Sequence, residues 1–75
     1  MPTIVKLGNI AIRMFADDHN PPHFHVVTPE HQALVSIASL EVLAGRMHRR
    51  DLMIALDWAR ENGPMLVSEW ERLNG

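Results

Sequence analysis

A chain of 75 residues allows one domain, residues 1–75, and no more. Its apolar fraction of 47% is that of a globular protein and too high for a disordered one. With no cysteine there is neither a disulfide framework nor a thiolate zinc site, and a formal net charge of −2, from seven basic and nine acidic residues, gives no global reason to expect nucleic acid.

A secreted domain this small would usually carry disulfide staples, so their absence favours a reducing compartment. No stretch is long and apolar enough to span a bilayer. Met1 to Asn9 lacks the basic start and apolar core of a signal peptide. The location expected from these features is cytoplasmic, with no membrane contact.

The first half of the chain reads in steps of two. Thr3 to Leu7 and Ile10 to Phe15 are strand-type runs separated by Gly8-Asn9. A two-residue turn that starts with Gly suits a type II′ hairpin, because Gly accepts a positive φ at little cost. In the second run Ile10, Ile12 and Met14 fall on one face, and Ala11, Arg13 and Phe15 on the other. Asp17 to Pro22 breaks the pattern with loop chemistry, stiffened by Pro21 and Pro22. Extension resumes at His23 to Thr28, where Phe24 and Val26 face one way and His23, His25 and Val27 the other. Pro29-Glu30-His31 predicts a turn, and Gln32 to Ala38 a fourth strand with Ala33, Val35 and Ile37 on one face. Glu41 to Leu43 can add a short fifth strand before Gly45.

The second half reads in steps of 3.6. Leu52, Ala55, Leu56 and Ala59 predict an amphipathic helix from about Arg49 to Asn62. Asn62-Gly63-Pro64 is a stop signal, with Gly63 suited to the left-handed position after a helix. Pro64 then suits the first turn of another helix, whose stripe is Leu66, Val67, Trp70 and Leu73. Both helices are expected to cover the sheet, with Trp58 closing the far edge of the core or anchoring a partner. The predicted fold is α+β: a small antiparallel sheet of four or five strands followed by two helices packed on one face.

Histidine is in excess, with five in the chain, and His19, His23 and His25 fall within seven positions. Asp18-His19-Asn20-Pro21-Pro22-His23-Phe24-His25 resembles the signature of domain-of-unknown-function family 4160, a family of small bacterial proteins. Met1-Pro2-Thr3-Ile4 is similar to the family's usual opening, and Leu40-Glu41-Val42-Leu43 leading through Arg49-Arg50 to Trp58-Ala59 is similar to its later part. The resemblance covers nearly the whole chain and implies no activity. It does imply a genetic setting: members are often encoded beside a second small uncharacterised domain. That pairing suggests a two-gene, toxin–antitoxin-like module and a partner encoded by the neighbouring gene.

The residues themselves leave three readings of the histidine run open. In the first, His23 and His25, at i and i+2 on a strand, point to one side ~6.5–7 Å apart and converge on a divalent metal such as zinc. His19, or a carboxylate from Asp17 or Asp18, would complete the set and leave a position for water. In the second, the site is metal-free: Asp18, His19, His23 and His25 act as acid, base and orienting groups on an RNA phosphodiester, with Arg13 holding a phosphate. In the third, the histidines and Asp18 tie the loop to the sheet. Arg49 and Arg50, with Arg46 and His48, form a further anion candidate at a helix start, although such a cluster is more often a solvated face.

The function expected from all this is a partner-binding component of a two-gene module with a histidine-rich site. The alternatives are a metal-dependent or metal-free hydrolase of ribonuclease type, and a metal-binding protein without turnover. Self-association through an open sheet edge is left undecided by the sequence.

Overall fold

The computed structural model describes residues 3–75; the opening Met1-Pro2 lies outside them. Five strands, β1 (Thr3–Leu7), β2 (Ile10–Arg13), β3 (His23–Val27), β4 (Gln32–Ser36) and β5 (Val42–Arg46), form one antiparallel sheet in sequence order. Two helices follow, α1 (Arg49–Glu61) and α2 (Gly63–Asn74). This is the α+β fold read from the periodicities, with the fifth strand longer than expected.

Each strand reaches its neighbour by a hairpin, so the topology is a meander. Gly8 takes φ +67° while Asn9 keeps a negative φ, which fits the type II′ turn, and Leu7 faces Ile10 across it. Thr28 closes the β3–β4 turn by exchanging hydrogen bonds with His31. Gly45 pairs with Ala33 across β4 and β5 at φ +80°, and the register shift lies further along, between Leu34 and Val35. A Cβ on Gly45 would lie 2.3 Å from the Gln32 carbonyl oxygen, so no side chain fits without moving that strand.

Alternation fixes the two sheet faces. Ile10, Ile12, Met14, Phe24, Val26, Val35 and Ile37 form the core face, and Ala55 and Ala59 of α1 with Leu66 and Trp70 of α2 pack onto it. Small residues at 55 and 59 let α1 come close to the strands. Trp58 is half-buried and packs against the same cluster, in line with the core role. Val67 departs from the predicted stripe and is exposed.

The helix junction also differs from expectation. Asn62 caps both helices, at φ −124°, and Gly63 begins α2 in place of taking a left-handed conformation. Asn62 does the terminating work itself: its side-chain amide donates to the Trp58 carbonyl at 2.8 Å. The spare carbonyl at the end of α1 is thereby satisfied without a left-handed residue. At the other end of α1, His48 is the cap, its ring Nδ1 accepting from the Arg50 amide at 3.3 Å.

Among the described residues, no helix is long and apolar enough to cross a membrane.

Candidate metal centre

The residues that bring chemistry together lie where three elements meet: the start of β3, the loop between β2 and β3, and the last turns of α2. The two histidines of β3 are two residues apart, so the pleat turns both to one side. Their rings are 5.3 Å apart between centroids. His23 is fully buried, its ring 5.3 Å from that of Trp70. His25 is partly covered, with Phe15 edge-on to it at 4.7 Å.

The loop supplies the third group. Asp17 takes φ +59°, a left-handed turn that an Asp tolerates better than most side chains. The Asp18 amide then donates to Asn74 Oδ1 at 2.8 Å, while Asn74 Nδ2 donates to the Phe15 carbonyl at 3.2 Å. The last residue of α2 therefore clasps the loop from 56 positions away and fixes where the Asp18 carboxylate goes.

That carboxylate points at both rings. Asp18 Oδ2 is 3.0 Å from His23 Nε2 and 3.3 Å from His25 Nε2. One atom each from Asp18, His23 and His25 lie within 4.8 Å of one another, the separations of a ligand shell. Around an ion with ligands at ~2.0–2.1 Å, neighbouring ligand atoms stand ~3.3 Å apart in a tetrahedron and ~2.9 Å in an octahedron.

The hydrogen bonds set the tautomers. His23 Nδ1 is 2.7 Å from the Pro21 carbonyl oxygen, which can only accept, so Nδ1 carries the proton. In the neutral ring Nε2 is then a bare lone pair. It is buried and has no hydrogen-bond partner among the described residues; Asp18 Oδ2, though close, lies too far out of line to be one. Two acceptors thus lie 3.0 Å apart without a hydrogen bond, an arrangement that a cation bound by both would relieve.

His25 is held from behind by Gln32 on β4, whose side-chain amide lies 3.1 Å from Nδ1. With the amide nitrogen toward the ring, Nε2 carries the proton and donates to Asp18. Turned by 180°, the amide oxygen accepts from Nδ1 and frees Nε2 as a second lone pair. The pattern of a ring nitrogen steadied by a backbone carbonyl or amide is that of metal-ligating histidines.

The charges agree with this arrangement. Burial pulls the Asp18 carboxyl upward, but the His25 hydrogen bond, the His19 amide and the nearby His23 and His25 rings outweigh it and hold it below its ordinary value. The carboxylate is therefore ionised at neutral pH.

Of the expected ligands, His23 and His25 face the convergence point and His19 does not. Its ring turns outward, 82% exposed, and engages the far oxygen, Oδ1, at 3.2 Å. Of the three candidates for the third group, His19, Asp17 and Asp18, it is Asp18 that joins the two rings, where the Asn74 clasp holds its loop. Arg13 is the direct cross-strand partner of His25 and so lies beside the cluster. Arg49 and Arg50 are exposed at the start of α1, where His48 serves as a cap, and they do not join it. Gln32 and Asn74 carry no signal in the sequence that ties them to this site; their roles depend on register and on long-range contact.

A family model described as a domain of unknown function, DUF4160, matches residues 9–71. The chain belongs to this family. The match spans the loop, both histidine ligand candidates and most of α2, so the whole cluster lies within the DUF4160 domain, Asn74 apart. Neither the curated proteins nor the solved structures contain a match to the chain.

Proposed function

We propose that this DUF4160 domain binds one divalent first-row metal ion through Asp18 Oδ2, His23 Nε2 and His25 Nε2. The observation that carries the reading is the buried His23 Nε2. In the neutral ring it is a lone pair with no hydrogen-bond partner, and a carboxylate oxygen lies 3.0 Å to its side. Two imidazoles and one carboxylate suit zinc, manganese or iron. Three protein ligands leave room for water, the pattern of catalytic sites as opposed to closed structural ones. An ion there would lower the pKa of its water toward ~7, so the reaction class the site fits is metal-assisted hydrolysis.

The test is calorimetric titration of chelator-stripped protein with Zn²⁺ and with Mn²⁺, alongside the His23→Ala/His25→Ala double variant. One equivalent bound by the wild type and none by the folded double variant is the expected result. No heat of binding from folded wild type with either ion would overturn the proposal.

A second reading, a partner-binding half of a two-gene module, draws on a different part of the molecule. β5 is an edge strand with all five residues exposed, Val42 and Leu43 among them. Its free backbone groups are available for pairing with another chain. Mixing the purified chain with the product of the adjacent gene at micromolar concentration should give a complex by size exclusion; two separate peaks would count against it.

A further inference from the structure

The helices cover one face of the sheet, and the opposite face has a composition of its own. Two rows of cross-strand neighbours define it. One runs Lys6, Ala11, Val27, Gln32 and Arg46 across all five strands. The next runs Arg13, His25, Leu34 and Ala44. Three cations thus stand on this face, and Asp18, which the metal reading uses, contacts its His25. Of the nine acidic residues, five (Asp51, Asp57, Glu61, Glu69 and Glu71) lie on the two helices. The helices also carry four arginines (Arg49, Arg50, Arg60 and Arg72), so the acidic residues there are nearly balanced.

Two of these cations also line a shape. A groove of about 230 Å³ is bounded by Lys6, Arg13 and Val27, with the small Ala11 in its lining. Arg13 Nε is buried and has no hydrogen-bond partner among the described residues. Arg13 lines the groove, where a guanidinium can offer a phosphate two parallel N–H donors. Lys6, exposed, stands across Ala11 from it. Phe15, two residues after Arg13 in the chain, is 37% exposed and holds its ring against His25. A basic groove with an exposed aromatic residue nearby in the chain is the combination that binds single nucleic-acid strands, phosphates on the cations and a base on the ring.

We propose that the helix-free face of the sheet binds a single strand of nucleic acid, with a phosphate in the Lys6–Arg13 groove and a base on Phe15. Arg13 is opposite His25, so a phosphate held by Arg13 places the next phosphodiester beside Asp18, His23 and His25. That last step rests on the metal reading; binding of the strand does not.

The experiment is fluorescence anisotropy with labelled oligouridylate and oligothymidylate of about ten nucleotides, within the usual site size, at low salt and with EDTA present. The wild-type chain should bind at least one of them, with affinity falling as salt rises. Arg13→Gln should weaken binding about tenfold or more, and Lys6→Gln should reduce the salt slope by about one. Phe15→Ala should cost roughly tenfold, and Arg60→Gln on the exposed face of α1 should change nothing. Because Lys6 is exposed, its variant remains informative if Arg13→Gln fails to fold. Absence of binding by both strands, equal binding by wild type and both groove variants, or equally tight binding of oligoglutamate would overturn the proposal. Strand binding in EDTA without any metal binding in the titration would retire the metal reading alone.

Discussion

Replacing His25 by alanine takes one of three ligand atoms from the Asp18–His23–His25 cluster while leaving the buried His23 and its Trp70 contact in place. A ligand that binds only the folded chain stabilises it by RT ln(1 + [L]/Kd), or ~2.7 kcal/mol at a hundredfold excess over Kd. For a domain of this size each kcal/mol moves Tm by about 4–8 °C, so Zn²⁺ at that concentration should raise the wild-type Tm by roughly 10–20 °C. Losing an outer residue that orients a ligand costs 10–100-fold in affinity, so losing a ligand should cost at least about 100-fold. At the same Zn²⁺ concentration the variant then gains at most ~0.4 kcal/mol, or about 2–3 °C. Loss of the Phe15 contact lowers the metal-free Tm as well, so the quantity to compare is the increment between EDTA and Zn²⁺, by scanning calorimetry at neutral pH. An increment in His25→Ala equal to that of the wild type would refute the assignment, because it would show the ion binding elsewhere.

Gln32→Leu removes the amide behind His25 Nδ1 and should weaken Zn²⁺ binding about 10–100-fold in the same titration, with little change in the metal-free Tm. Asn74→Ala breaks the two long-range hydrogen bonds that clasp the loop, each worth ~0.5–1.5 kcal/mol, so urea denaturation should show a loss of about 1–3 kcal/mol together with weaker metal binding. Gly45→Ala places a methyl group against the Gln32 carbonyl at a positive φ and should destabilise by at least ~2 kcal/mol in the same assay. Asp18 is held below its ordinary pKa in the folded chain, so its contribution to stability is complete above ~3.9 and is lost as pH falls through the lowered value. In EDTA, urea midpoints of the wild type should therefore fall more steeply below about pH 4 than those of Asp18→Asn, and parallel acid limbs would contradict the assigned environment.

Local rules determined a good deal of this molecule. A period of two along Ile10–Met14 and His23–Val27 settled which residues face the core, and with them that His23 and His25 share a side. Gly8-Asn9 set the first hairpin, and the 3.6-residue spacing of Leu52, Ala55, Leu56 and Ala59 set α1. These signals are legible because they depend on neighbours within a turn or a pleat.

The site depended on contacts that no local window contains. Asp18, not His19 or Asp17, completes the cluster, where Asn74 holds the loop from 56 residues away. Gln32 backs His25 because of the β3–β4 register, and Arg13 lies beside His25 because of the β2–β3 register. His48, in a basic run that suggested an anion site, caps α1, and Asn62 ends that helix in place of a left-handed Gly63. Sequence alone fixed the faces, since side-chain direction follows from backbone period. Only the tertiary structure decided which polar groups converge, since loop conformation and strand register are settled by pairing and packing between residues far apart in the chain.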